Sequence, residues 1–329
     1  MIQENEETRK MRCSFRAALI SVTMMCLPIT SYASYPDRPI HLIVSYSAGS
    51  VTDTVARLLA DGLRTGLGQP VVVENKPGAT GNIGAQKVAT AKPDGYTLLM
   101  HTSALALNPW LSNTSYDLMK DLTPVTRVAG SAYAIAVRPE LPVKTLDGFL
   151  EYARSHPGRL TCGTYGIGSP PHLSLEQLKE NAHVDIVHVP YSSFNKALTD
   201  LVSGQLDCSI YPPGTLTPHV RKGTLRAVAV TRQAPVSDLP QASVLPDSLK
   251  AASVEGYQLI FVPSGTDASI IKRLQQALAH IIHTPEFRKR LQAMSFEPIG
   301  DSTQQAAAAF SNDYERFGRI IKALNLPKN

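Results

Sequence analysis

The apolar positions of this chain fall into short runs, separated by small-residue turns and helical repeats. Ile40, Leu42, Ile43 and Val44 form one run, and Ser45-Tyr46-Ser47-Ala48-Gly49-Ser50 interrupts it. Val51, Val55, Leu58, Leu59, Leu63 and Leu67 then recur at helical spacing. The pattern predicts a buried strand, a turn and an amphipathic helix, with Ser50 as N-cap and Asp53 at the third helical position. A helix N-terminus behind a flexible turn offers unpaired N–H groups and suits a carboxylate or phosphate.

The same unit recurs. Val71–Glu74 reads as a second strand, Ile83 to Val88 as a short helix, and Tyr96–Met100 as a third strand ending in His101-Thr102-Ser103. A second group begins near Ala132, with strands at Tyr133–Val137, Leu160–Thr164, Asp185–Val189, Leu206–Ile210 and Arg226–Val230. Its strands are followed by Tyr165-Gly166-Ile167-Gly168-Ser169-Pro170-Pro171 and by Tyr191-Ser192-Ser193, with helices at Leu146–Arg154, His172–Glu180 and Lys196–Val202. Arg232 to Glu255 shows no period and reads as an extended connection. Tyr257–Val262 returns as a strand, and helices follow through about Leu324, the last opened by a Ser302/Gln305 capping box. Strand–loop–helix repeats of this kind predict an α/β fold with mostly parallel sheets flanked by helices. Two such sheets facing each other would set their small-residue loops across one cleft. The expected limits are 34–131 with 256–329 for a discontinuous first domain, and 132–255 for the second.

Composition adds less. The 329 residues suffice for two domains, and a formal charge of +5 without a basic cluster argues against nucleic acid as partner. The N-terminus changes the picture more. Arg9, Lys10, Arg12 and Arg16 precede an apolar stretch over Ala17–Ile29, and Ser31-Tyr32-Ala33 supplies small residues for cleavage. This predicts a secretory signal peptide cut after Ala33, hence a periplasmic protein. Cys13 and Cys26 leave with it. Cys162 and Cys208 remain, and since neighbouring parallel strands rarely suit a disulfide they are expected as buried free thiols, with pairing the alternative.

The chain carries no G-x-S-x-G, no G-x-x-x-x-G-K-[ST], no H-E-x-x-H and no Cys/His cluster, so no enzyme, cofactor or metal site is expected. His172 reads either as a locally bonded helix residue or as a donor to a ligand carboxylate. For Asp53 a helix cap is favoured over contact with a ligand amine. Tyr46, Tyr165 and Tyr191 each end a strand in a small-residue loop, which points to cleft lining.

Several stretches together resemble the Bug family, the periplasmic solute-binding proteins of tripartite tricarboxylate transporters. They include Tyr35-Pro36-Asp37-Arg38-Pro39-Ile40, Ala48-Gly49 with Thr52-Asp53, Leu67-Gly68-Gln69-Pro70 through Gly78, and Gly81-Asn82-Ile83-Gly84. Pro93-Asp94-Gly95-Tyr96-Thr97-Leu98, Val187-His188-Val189-Pro190-Tyr191, Ala197 to Leu201 and Gly204 to Asp207 continue the likeness to near the C-terminus. The resemblance implies a two-domain binding protein of the type II periplasmic class, without cofactor or catalysis. Such a protein holds a small anionic or zwitterionic metabolite between its domains, acts as a monomer and serves membrane transporter subunits. It implies a first wall of Tyr46, Ala48, Gly49, Ser50, Asp53, Thr102 and Ser103, and a second of Tyr165, Gly166, Ser169, His172 and Tyr191. The chain departs from the family at Ser50, usually Gly, and at Ser192-Ser193, usually Lys-Gly. Between Tyr257 and Val262 it is shorter and lacks an aromatic. Two other readings stand beside this one: a ligand sensor for a signalling partner, and a secreted hydrolase using Ser169 and His172.

Overall fold

A computed structural model describes residues 35–191, 194–232, 235–236, 238–326 and 328. The signal segment and its cleavage site at Ala33 lie outside the described residues, as do Ser192 and Ser193. Arg38–Asn329 form one compact unit.

That unit is built on two six-stranded sheets. β1 (Ile40–Val44) is buried at all but His41, as its apolar run requires, and pairs in parallel with β2 (Val71–Asn75) and β3 (Thr97–Thr102). Two long strands follow in space. β4 (Leu122–Ala132) and β11 (Glu255–Pro263) run antiparallel to each other, and β11 runs antiparallel to β3. With β12 (Glu297–Pro298) the first sheet has the order β12-β4-β11-β3-β1-β2. The second sheet contains β5 (Ala134–Val137), β6 (Thr161–Thr164), β7 (Val187–Pro190), β8 (Cys208–Tyr211), β9 (Arg226–Val230) and β10 (Ser243–Val244), in the order β10-β9-β5-β8-β6-β7. Both sheets are therefore mixed, because the strands that carry the chain between them enter antiparallel.

The chain crosses between the sheets twice, at Ala132–Ala134 and at Val254–Glu255. One buried hydroxyl ties both crossings. Thr231 Oγ1 accepts from Tyr133 N–H at 3.0 Å and donates to Val254 O at 3.0 Å.

Helices cover the sheet faces. Val51–Leu67 and Ala268–Ile282 flank the first sheet, and they meet so closely that a Cβ on Gly62 would lie 2.8 Å from Ile281. Thr303–Ala323 opens with the predicted Ser302/Gln305 capping box and buries Phe310, Phe317, Ile320 and Ile321 against the first-sheet core. Leu173, on the Pro170–Ala182 helix of the second lobe, joins that same core.

Three expectations need correction. The first concerns the cysteines. Cys162 and Cys208 are direct partners across β6 and β8, with Cα atoms 4.5 Å apart, and they form a disulfide. Second, β4 and the Pro213–Arg221 helix have no counterpart in the sequence reading. Third, the connection from Arg232 to Glu255 holds β10 and a 3-10 helix at Asp247–Ala252. The shortening near Tyr257 leaves β11 continuous, with two register irregularities against β4.

Candidate functional site

β1 and β3 of the first sheet and β6 and β8 of the second end at one cavity of about 830 Å³. On the first lobe, Tyr46 follows β1, and its hydroxyl bonds Thr102 Oγ1 at 2.7 Å, where β3 ends. His101 packs beneath the Tyr46 ring, with ring centroids 5.2 Å apart. Ser103 and Gln258 continue the floor, Gln258 lying opposite Thr102 in the sheet. Gln258 is 2% exposed, and its Oε1 has no hydrogen-bond partner among the described residues. The side wall is a network of neutral amides and hydroxyls. Asn82 Oδ1 accepts from Tyr116 Oη and from Asn108 Nδ2, both at 2.8 Å, and Asn82 Nδ2 donates to Ser112 Oγ at 3.2 Å.

The second lobe contributes a tyrosine pair, Tyr133 and Tyr165, whose hydroxyls lie 2.9 Å apart. Burial pushes Tyr133 up to about 12 and raises Tyr165 and Tyr46. All three phenols stay protonated at neutral pH, and the Tyr133–Tyr165 bond uses one of that pair's two protons and leaves the other to donate. The lobes touch beside this pair. A Cβ on Gly168 would lie 2.5 Å from Leu111 Cδ1, and its φ of +76° favours glycine at this approach.

The two helix starts at the cavity differ chemically. Val51 and Thr52 open the first helix and line the cavity. Their position in the first turn leaves their N–H groups outside the intrahelical ladder. The helix at Pro170 has prolines at its first two positions, which carry no N–H at all. Three further N–H groups of this segment are spent internally. Gly168 N–H donates to His172 Nδ1 at 2.9 Å, Ser169 N–H to Gly166 O at 3.3 Å, and His172 N–H to Ser169 Oγ at 3.4 Å.

Of the residues singled out from sequence, Tyr46, Thr102, Ser103, Tyr165 and Ser169 line the cavity together. Ala48, Gly49 and Ser50 form the turn beside it. Ser50 caps the helix by accepting from Asp53 N–H at 3.2 Å, and its φ of −67° suits any residue, so serine sits there without strain. Asp53 sits behind that turn, buried and fully engaged. Its Oδ2 accepts from Gly49 N–H at 2.9 Å and Arg57 Nε at 3.1 Å, and its Oδ1 from Asn75 Nδ2 at 2.9 Å. Asn75 Nδ2 in turn holds Tyr46 O at 3.0 Å. Burial alone would raise the Asp53 carboxyl, but the bonds from Arg57, Gly49 and Asn75 outweigh it and hold it low. Asp53 is thus the anchor of the Tyr46 turn, and Asp53→Asn is expected to cost about 2 kcal/mol in urea unfolding. An unchanged unfolding free energy would remove that role.

Gly166, His172 and Tyr191 stand away from the cavity lining. Tyr191 donates its hydroxyl to Asp200 at 2.9 Å and packs into the second-lobe core. His172 is buried, stacked on His188 with centroids 4.0 Å apart. Its Nδ1 is occupied by Gly168, while Ser169 Oγ donates to Gly166 O at 2.8 Å. The hydroxyl-to-imidazole bond that a hydrolase dyad needs is therefore not made between Ser169 and His172. His172, Glu176 and His188 offer ligand atoms within 4.8 Å of one another. Lys179 Nζ sits 2.9 Å from both Glu176 oxygens and already pairs that carboxylate.

Tyr133, Asn82, Asn108, Tyr116 and Gln258 join the lining without standing out in the sequence. Their signal was weak because each is a lone polar residue in an apolar or irregular stretch, and only the fold gathers them.

Comparison with known proteins agrees with this geometry. The model of the tripartite tricarboxylate transporter family receptor, TctC, matches residues 55–326. An uncharacterised-family protein from the gbd 5′ region of Cupriavidus necator is 31% identical over 96% of this chain and 97% of its own. The structure of Rhodopseudomonas palustris Rpa4515 with adipate is 28% identical with a TM-score of 0.72, covering 90% of this chain and 100% of that one. MatC from the same organism, with bound malate, is 28% identical with a TM-score of 0.68, covering 87% and 100%. A match over most of the chain, with a cleft between two mixed α/β lobes, shows that this protein belongs to the TctC family of tripartite tricarboxylate transporter receptors.

Proposed function

We propose that this chain is a periplasmic receptor that closes its two lobes on a small carboxylate and delivers it to the membrane subunits of a tripartite transporter. The observation that carries the reading is the cavity between the lobes, floored by Tyr46, Thr102 and Ser103 and faced by Tyr165 and Ser169. Protonated phenols, hydroxyls and the Val51–Thr52 helix start supply donors to a carboxylate, and among the described residues Ser169 and His172 are not joined as nucleophile and base. The relatives with bound adipate and malate support a carboxylate as ligand. The ligand is anionic or zwitterionic and the protein a monomer, secreted by a signal peptide cut after Ala33. The lobes comprise 34–131 with 256–329, and 132–255. They would hinge at the two crossings tied by Thr231, in keeping with closure about a few element-terminal residues. Among the described residues no helix is long and apolar enough to cross a membrane.

Ligand-dependent thermal unfolding across carboxylates and amino acids tests the reading. A true ligand at a hundred times its Kd should add about 2.7 kcal/mol to stability. Absence of any shift, together with unchanged small-angle scattering, sinks it.

A further inference from the structure

We infer that the ligand is an amphipathic monocarboxylate, with one anionic head and a bulky apolar body, and that the cleft rejects a second carboxylate. This rests on the receptor reading above and narrows it.

Three observations carry the inference. First, among the described residues no Asp, Glu, Lys, Arg or His side chain lines the cavity. An anion taken into such a site depends wholly on neutral donors, and each further charge must be desolvated without a countercharge. Second, most of the open donors are gathered on one side. The Tyr46–Thr102 pair, Ser103 and the open helix start at Val51 and Thr52 lie on the first lobe. The opposite wall offers prolines where N–H groups would be, its N–H groups from Gly168 to His172 and the Ser169 hydroxyl are spent internally, and the Tyr133 and Tyr165 hydroxyls bond each other, which leaves one phenolic proton there. One head can be served on the first lobe, and a second on the far side would meet few donors. Third, the cavity holds large apolar side chains that nothing in the fold covers. Val51 is 46% exposed, Ile83 51% and Ile167 58%, and all three line it. Leu111 and Pro170 extend the same wall. Apolar groups left open inside a cleft are covered when a ligand of matching character fills it.

Matched pairs test this. Octanoate and octanedioate differ only in one end, methyl against carboxylate, and so do 4-methylbenzoate and benzene-1,4-dicarboxylate. Calorimetric titration of the mature protein should show the monocarboxylate of at least one pair bound about ten-fold or more tightly than its dicarboxylate. Ile167→Asn, on an exposed side chain, should weaken that monocarboxylate several-fold with an unchanged melting curve. Dicarboxylates bound equally or more tightly overturn the inference and leave the receptor reading standing. An affinity unmoved by Ile167→Asn also overturns it. Failure of all four compounds, and of malate and citrate, overturns the receptor reading and the inference together.

Discussion

Replacing Cys162 and Cys208 together by alanine should lower the unfolding free energy by about 4 kcal/mol. The bond closes a loop with a sequence separation of 46. Cross-linking a loop of that length removes chain entropy from the unfolded state, which on the loop-entropy relation gives the figure stated. Both cysteines are fully buried in the second-lobe core, among Leu160, Leu178 and Ile210, so the double variant also loses packing there. The effect should reach the cleft. β6 runs from Cys162 through Gly163 and Thr164 directly into Tyr165, whose hydroxyl meets Tyr133. Because the sulfurs are shielded, dithiothreitol should leave the native protein oxidised and act readily only in urea. Urea unfolding of the double variant checks the energy, and a loss below about 1 kcal/mol would show that the cross-link constrains little.

The cysteines also mark where sequence reasoning stopped. Their alternation with apolar residues placed each correctly in a strand, yet pairing is a property of register, and register between β6 and β8 is set by packing and not by local pattern. The repeated strand–loop–helix units were legible because their periods change sharply, from the apolar run of Ile40–Val44 to the helical spacing of Val51–Leu67. β4 was not legible. Its sequence, LTPVTRVAGSA, mixes a proline, an arginine and small residues, and it becomes a strand only because β11 pairs along its whole length. The site divides the same way. Tyr46, Thr102, Ser103 and Tyr165 were visible as residues that end strands, a position fixed by topology. Asn82, Tyr116 and Gln258 come to the cavity through tertiary contacts that no spacing announces. His172 was balanced between two roles, and the fold gives it a definite one: its imidazole holds the Gly168 N–H and stacks on His188.

That arrangement leads to the other large effect. Stability should fall steadily as the pH is lowered from 6.5 towards 4. His101, His172 and His188 are each pushed down to about 4, in every case chiefly by burial. Lys179 adds to the shift at His172, and His172 is the next contributor at His188. In the unfolded chain these imidazoles titrate near 6.5. Between the two values the unfolded state binds protons that the native state refuses. Stability is therefore complete above pH 6.5 and is lost as the pH falls, at about 1.4 kcal/mol per unit for each histidine that stays neutral. His101 is wholly buried and should account for about 3 kcal/mol over the window. His172 and His188 share a stack, so their protonations oppose each other and act as a pair. Carboxylates held low by their partners, Asp53 and Glu74, lose their contribution only as the pH drops further, which keeps the window between 6.5 and 5 diagnostic. The functional consequence lies at Gly168. A protonated His172 has no lone pair at Nδ1, so the Gly168 N–H loses its acceptor and the loop carrying Ile167 and Ser169 loses its tie to the helix. Urea unfolding at about pH 7, 6 and 5 should show the decline, with ligand affinity falling alongside it. A flat unfolding free energy across that range would mean the buried histidines take up protons without leaving the native state.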